Sequence, residues 1–257
     1  MYSATHQMGG PDMVSLCRGR YCVRLAQTPQ DIGAAQRLRQ RAFLGGDGGR
    51  RDADPFDEIC AHILVEEAES GRLVCCFRFL TFSGGGEIER SYSAQFYELS
   101  ALRRFDGPMV EMGRFCIDPD CTDPDILRVA WGAMTAYVDE NNVEMLFGCS
   151  SFSGTDTREY LDAFAMLRDR HIAPKRWLPK VKAPDVFRFA TRLRRKPNPK
   201  LAQLRMPPLL RSYLLMGGWV SDHAVVDQQM NTLHVFTGLE IRAIPPARKR
   251  LLRAIAS

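Results

Sequence analysis

The sequence predicts an α/β layer fold built around a mixed central sheet, and three observations lead there. Short apolar, β-rich runs alternate with amphipathic stretches in the order strand, helix, hairpin, strand, helix, strand, helix. Two of the helix openings are marked by caps, Thr28-Pro29-Gln30-Asp31 and Thr122-Asp123-Pro124-Asp125. A chain of 257 residues that is 45% hydrophobic also has ample material for a core.

The elements follow in order. Residues 1–20 mix Gly, Ser, Met and polar groups without periodicity, so a frayed, flexible N-terminus is expected. Tyr21 to Ala26 alternates as a short strand. A helix over Pro29 to Phe43 carries an apolar stripe of Ile32, Ala35, Leu38 and Ala42, with Arg39 on or beside it. A basic loop, Gly45 to Arg51, leads to Asp54 and Asp57. A hairpin follows, Cys60 to Glu67 and Leu73 to Phe82, turning through Glu69-Ser70-Gly71. Gly84-Gly85-Gly86 opens a longer excursion before the strand Met109 to Ile117. The next helix is the clearest in the chain, with Leu127, Ala130, Trp131, Met134 and Val138 at steps of three and four, and it stops at Asn141-Asn142. Val143 to Cys149 reads as a buried strand and Thr155 to His171 as an amphipathic helix. Beyond Pro174, Pro and Lys become frequent, Pro207-Pro208 opens a short helix ending at Gly217-Gly218, and Leu233 to Ile244 is strand-like. The organisation expected is a flexible segment 1–20, a core 21–171, and a basic extension 172–257 that packs on the core and completes it.

Composition excludes several classes. The longest apolar runs fall far short of the roughly 20 residues of a membrane span, and no secretory signal opens the chain, so a cytoplasmic protein is expected. The eight cysteines lie mostly in apolar stretches and form no CxxC pair; free, reduced, core-filling thiols are expected. Five scattered histidines without ligand spacing give no metal site, and nothing suggests a redox cofactor. The net charge of +5 is uneven: from Arg170 to Arg211 stand thirteen Lys or Arg against the single acid Asp185. An acidic partner for this extension follows, be it anionic lipid, an acidic carrier protein or nucleic acid. Nucleic acid ranks last, because no recognisable nucleic-acid module contains the basic residues.

The chemistry concentrates at Glu111-Met112-Gly113-Arg114-Phe115. An acid and a base three apart in a buried strand need partners or a substrate, because burying unpaired charge is costly. In a regular strand the two point to opposite faces. A bulge at Gly113 restores a shared face, and glycine inside a strand often marks one. Arg78 likewise interrupts its apolar run, and Asp54 and Asp57 precede the neighbouring strand. Together these residues form one charged site on a sheet. Ser150-Ser151-Phe152-Ser153-Gly154 lacks the Gly-x-Ser-x-Gly elbow of a hydrolase and is expected to shape a channel.

In order and spacing, Leu38-Arg39 with Phe43, Asp54-x-x-Asp57, Arg78 and Glu111-x-x-Arg114-Phe115 resemble the acyl-homoserine-lactone synthases, a branch of the GNAT acyltransferases, over residues 20 to 170. The synthases' tryptophan after the first helix is absent here, since Phe43 is followed by Leu44-Gly45-Gly46. The extension, with Pro207-Pro208-Leu209-Leu210-Arg211-Ser212-Tyr213-Leu214 and Val226-Asp227-Gln228-Gln229-Met230-Asn231, resembles the ornithine N-acyltransferases that begin ornithine-lipid synthesis. This resemblance implies a GNAT-like mixed sheet flanked by helices and transfer of a (3-hydroxy)acyl chain from acyl carrier protein to the α-amine of ornithine. It implies no cofactor, the acyl-pantetheine thioester being a co-substrate, and a peripheral place on the cytoplasmic face of the inner membrane. An acyl-homoserine-lactone synthase, or a non-catalytic module binding membrane or nucleic acid, is the alternative.

The residues favour the same donor. Coenzyme A-dependent GNAT enzymes usually cradle pyrophosphate on backbone N-H groups after the central strand. Here Asp118, Asp120, Asp123 and Asp125 occupy that stretch, and such charge repels pyrophosphate. The single phosphodiester of a carrier protein's pantetheine arm needs no such cradle. Aminolysis of a thioester requires a neutral amine and a stabilised oxyanion. Glu111 is the expected base, with backbone N-H groups at Gly113 as the expected oxyanion donors. Arg39, Arg78 and Arg114 are expected on the amino acid's carboxylate. Asp54 and Asp57 are expected on its ammonium or ordering the loop. Phe43, Phe115, Ser150 and Ser151 are expected to line the channel.

Overall fold

The computed structural model describes residues 16–46 and 49–256. It opens on a hairpin, β1 (Leu16–Arg18) against β2 (Tyr21–Leu25), in which Cys17 and Cys22 stand directly opposite and are joined as a disulfide. Two expectations are corrected here. Of the segment expected to be flexible, residues 1–15 lie outside the described residues, whereas Leu16 to Arg18 is paired strand. Nor are all the cysteines free: a hairpin turning at Gly19, with φ of +59°, brings residues five apart in sequence face to face. The other six are free thiols.

Thr28 and Asp31 cap each other's backbone at the start of α1 (Pro29–Arg39), which continues as one π-helical turn, Gln40–Leu44. Next come β3 (Ala61–Glu67), β4 (Leu73–Phe82), β5 (Tyr97–Glu98), β6 (Met109–Ile117), α2 (Pro124–Glu140), β7 (Met145–Ser153) and α3 (Leu161–Arg170). The basic extension supplies β8 (Lys180–Val181), β9 (Val186–Phe187), α4 (Phe189–Arg192), α5 (Pro199–Arg205), α6 (Pro208–Leu215), β10 (Trp219–Val220), β11 (Ala224–Asp227), β12 (Thr232–Glu240) and α7 (Pro246–Ala256). Among the described residues, one sheet runs in the order β1-β2-β3-β4-β6-β7-β12-β11-β9, with β10 also on β12. Its pairings are antiparallel except β6 with β7. The extension is thus woven into the sheet, since β12 pairs with β7 from Ser153 to Met145.

Strand alternation sorts the core onto two faces. On one, Phe77, Phe79, Val110, Met112 and Leu146 pack against Ile126, Ala130 and Met134 of α2 and Tyr213 of α6. On the other, Cys76 and Leu64 meet Ala35 and Leu38 of α1, and Leu80, Phe82 and Phe147 meet the excursion at Ile88, Ala94 and Leu102.

Two irregularities open the sheet. β6 pairs with β7 only from Met109 to Glu111, and the strands then part beside Gly148, where a Cβ would stand 2.3 Å from the Met112 carbonyl oxygen. Only glycine permits that approach. The second is a bulge between β4 and β6: Arg78 faces Gly113 and Cys76 faces Cys116, so Phe77 opposes two residues, Arg114 and Phe115. The bulged residue is Arg114, with φ of +52°, and not Gly113, which stays in the ladder. This corrects the expected position by one residue. Arginine tolerates the left-handed backbone here because its side chain is held from several sides, as described next.

Candidate active site

The gap between β6 and β7 is filled by a cavity of about 290 Å³ that passes from one face of the sheet to the other. Its two ends differ. On the α2 side the lining is apolar, with Phe115, Ile117, Leu127, Pro207, Leu209 and Tyr213. On the α1 side it is polar, with Arg78, Tyr92, Glu111, Arg114, Asp227 and His234. Phe43, Gly113, Ser150 and Ser151 also line it. Phe115 turns away from Arg114 and stacks on Phe77 at 5.5 Å, the reversal of faces that the bulge produces.

Glu111 and Arg114 therefore share the cavity, but each has its own partners. The Glu111 carboxylate is buried and accepts from the Tyr92 N-H at 2.7 Å, the Ser93 N-H at 2.7 Å and the Ser93 hydroxyl at 2.6 Å. Burial outweighs these hydrogen bonds and raises its pKa above the ordinary carboxylate value. Arg114 donates to the Tyr92 hydroxyl at 3.2 Å and to Asp54 at 3.2 Å, and its Nε lies 3.0 Å from Asp52 Oδ2. Its guanidinium also stands 5.1 Å from the Tyr92 ring centre.

Arg114 belongs to a block of three guanidiniums, with Arg39 and Arg78, and three carboxylates, Asp52, Asp54 and Asp57. Arg78 bonds Asp54 at 2.7 and 2.8 Å and Asp57 at 2.7 Å. Arg39, 1% exposed, bonds Asp57 at 2.7 and 2.8 Å, the Asp52 carboxylate at 3.0 Å and the Asp52 carbonyl. Asp57 also accepts from Gln36 at 2.9 Å, and Asp54 caps the short helical turn that carries Asp57. Burial would raise the Asp57 pKa, but the bonds from Arg39 and Gln36 and the nearby arginine charges overcome it and hold the carboxyl well below its usual range. Arg39, Asp54 and Asp57 thus sit behind the wall, whereas Arg78 and Arg114 form part of it.

Asp52, Tyr92, Ser93 and His234 escaped the sequence reading, and Asp227 entered it only within the stretch Val226–Asn231, without a role. Asp52 lies outside the Asp54-x-x-Asp57 spacing, and the others reach the site only through long-range pairing. Asp227 closes β11, and its Oδ1 accepts from the N-H groups of Gln229 and Met230 at 3.0 Å each. His234 is buried; its Nδ1 lies 3.1 Å from the Tyr97 hydroxyl, which donates to the His234 carbonyl at 2.8 Å. With that hydroxyl proton on the carbonyl, the ring N-H is assigned to Nδ1 and the lone pair to Nε2, which has no hydrogen-bond partner among the described residues. Burial lowers its pKa to about 4, so the ring is neutral at physiological pH. Burial also pushes the Cys149 thiol up to about 12, which leaves no thiolate to accept an acyl group.

The acid-rich stretch after β6 is occupied by its own structure. Asp123 caps α2 by accepting from the Asp125 N-H at 2.9 Å and takes the Tyr21 hydroxyl at 2.8 Å. Asp118 bonds Arg41 at 2.6 Å and Arg72 at 3.0 Å. A carboxylate thus caps the N-terminus of α2.

Residues 38–132 match the acetyltransferase (GNAT) domain family. An L-ornithine N(alpha)-acyltransferase of Rhodobacter capsulatus is 33% identical over 239 residues, covering 87% of this chain and 91% of the relative. One of Brucella abortus is 31% identical over 86% of this chain and 85% of the relative. Among solved structures, FeeM, an N-acyl amino acid synthase from uncultured soil microbes, aligns with a TM-score of 0.48 and 12% identity, covering 92% of this chain and 97% of that one.

Proposed function

The chain belongs to the L-ornithine N(alpha)-acyltransferase family, with a GNAT domain, and from that premise we propose that it transfers a (3-hydroxy)acyl chain from acyl carrier protein to the α-amine of ornithine, giving lyso-ornithine lipid. One observation carries this reading: a single cavity joins an apolar end to a charged end at the β6–β7 gap, and Glu111, the last β6 residue paired with β7, lines it at the charged end. An acyl-pantetheine thioester suits the first end and an amino acid the second.

In this mechanism Arg114, flanked by Arg78, holds the α-carboxylate, directing the α-amine at Glu111. The α-ammonium, with a reference pKa of roughly 8, first loses a proton to solvent. The amine then attacks the thioester carbon, forming the C–N bond, and negative charge collects on the carbonyl oxygen. Beyond Glu111, β6 has no partner on its β7 side, so its N-H groups on that edge serve as oxyanion donors. Glu111, directly or through a water, takes the second proton from nitrogen as the tetrahedral intermediate collapses. The C–S bond breaks, and the proton passes to the departing thiolate. Arg39, Asp52, Asp54 and Asp57 position the arginines. The N-terminus of α2, capped by the Asp123 carboxylate, supports a carrier-protein donor over coenzyme A, because a carboxylate there disfavours a pyrophosphate.

The same reading seats the chain peripherally on an anionic membrane surface. Leu201, Leu204 and Leu215 are exposed beside Lys200, Arg205 and Arg211, and no described helix is long and apolar enough to cross a bilayer. The test is purified protein with 3-hydroxyacyl carrier protein or 3-hydroxyacyl coenzyme A and a panel of amino acids, read by mass spectrometry. N-acylornithine made preferentially from the carrier protein is expected. Product only from homoserine-type or methionine-derived acceptors, or equal use of coenzyme A, contradicts the proposal.

A further inference from the structure

The charged end of the cavity has two signs, and its partners divide them unequally. Arg78 and Arg114 are each answered by aspartates behind the wall. Glu111 already accepts three hydrogen bonds. Asp227 differs: Oδ1 is held by two backbone N-H groups, and Oδ2 has no hydrogen-bond or ion-pair partner among the described residues. In the β11–β12 hairpin Asp227 faces Thr232 and Val225 faces His234, so Asp227 and His234 are diagonal neighbours on one face, about 7–8 Å apart. His234 Nε2 is itself buried, without a partner, in a ring that lines the cavity. The two side chains thus offer one carboxylate oxygen and one ring nitrogen, neither with a donor among the described residues.

We infer that Asp227 and His234 form a subsite for the side-chain ammonium of the acceptor, and so determine the choice of a basic amino acid. The inference rests on the function proposed above and adds to it the residues that read the acceptor's side chain. An ammonium supplies three donors. It neutralises Asp227 through Oδ2 and gives one hydrogen to His234 Nε2. A carboxamide offers donors but no charge, and an alkyl chain offers neither. Arg114 and Asp227 then bracket the substrate as opposite charges, one for its α-carboxylate and one for its distal cation. His234 accepts here only as the neutral ring, which its burial ensures.

The test compares ornithine, lysine, glutamine and norvaline as acceptors for the wild type and Asp227→Asn. The asparagine keeps an Oδ1 for the Gln229 and Met230 N-H groups, so the hairpin is retained. The wild type is expected to prefer ornithine to norvaline on the order of 100-fold or more in kcat/KM, and Asp227→Asn to shrink that ratio at least about tenfold. Equal losses on both acceptors, or an unchanged ratio, overturn the inference. Calorimetric binding of ornithine and norvaline reads the subsite without turnover. If the wild type acylates no amino acid but still binds ornithine over norvaline, and the variant loses that difference, the function proposed above fails while the subsite stands. Equal binding of the two by the wild type overturns the subsite.

Discussion

Two groups of charges share one face of the sheet and behave oppositely. In the block formed by Arg39, Arg78 and Arg114 with Asp52, Asp54 and Asp57, each guanidinium meets carboxylates at 2.7 to 3.2 Å. At the β11–β12 hairpin, Asp227 keeps one oxygen and His234 one nitrogen without partners among the described residues. Arg39, Asp52, Asp54 and Asp57 are scaffold behind the cavity wall, whereas Arg78 and Arg114, which they hold, also face the cavity. A group left unsatisfied at a cavity is costly to bury and gains most when a ligand arrives. The residues most visible as charges in apolar runs are therefore mainly positioning residues.

The comparison can be broken, most forcefully, at its centre. Arg39→Ala removes a buried guanidinium from Asp52 and Asp57, leaving Asp57 to Arg78 and Gln36 and Asp52 to Arg114, and should cost about 3 kcal/mol of stability in urea denaturation. An unchanged midpoint with loss confined to the amino-acid KM would make Arg39 a substrate residue instead. At the other group, His234 sharpens the contrast through pH. Its folded pKa of about 4 lies below the ordinary histidine value of 6.5, so the unfolded chain binds the proton first. Its contribution is intact above pH 6.5 and is lost as pH falls towards 4, a loss on the order of 3 kcal/mol. His234→Gln should flatten that part of the stability curve, measured from pH 7 to 4. Asp57 acts at lower pH: its depressed pKa gives stability that is present above the ordinary carboxylate range and lost below it. The smallest effect belongs to the surface. Leu204→Ala should weaken sedimentation with anionic vesicles by no more than about tenfold, from the apolar area removed. Equal binding to neutral vesicles at high salt would count against the membrane reading.

Much of this architecture was legible from local pattern. β4 and β6 fall on Leu73–Phe82 and Met109–Ile117, as their apolar runs predict, and Thr28 and Asp123 cap the two helices. The need for a bulge was also legible, because two charges three apart cannot otherwise share a face. Its position was not. Gly113 is the residue that permits unusual backbone, but the pull of Asp52, Asp54 and Tyr92 on one side chain places the kink at Arg114. The Cys17–Cys22 bridge was missed because that stretch carries no periodicity, although two cysteines astride a Gly19 turn were a signal. His234 gave none, since β12 pairs with β7 across more than seventy residues of chain, and Asp227, though within the Val226–Asn231 stretch that carries the resemblance, is brought to the site only by that pairing.

The account turns on Glu111 as the place where acyl chain and amine meet. The measurement that tests this is the pH dependence of kcat with 3-hydroxyacyl carrier protein and ornithine, for the wild type and Glu111→Gln. Glu111 acts as a base only when ionised, and its pKa is raised, so wild-type activity should rise with pH along a limb lying above the ordinary carboxylate value of 4.5. The variant should lose about 10²- to 10⁴-fold in kcat and lose that limb, with its fold intact by circular dichroism. Full activity with the limb preserved would contradict it.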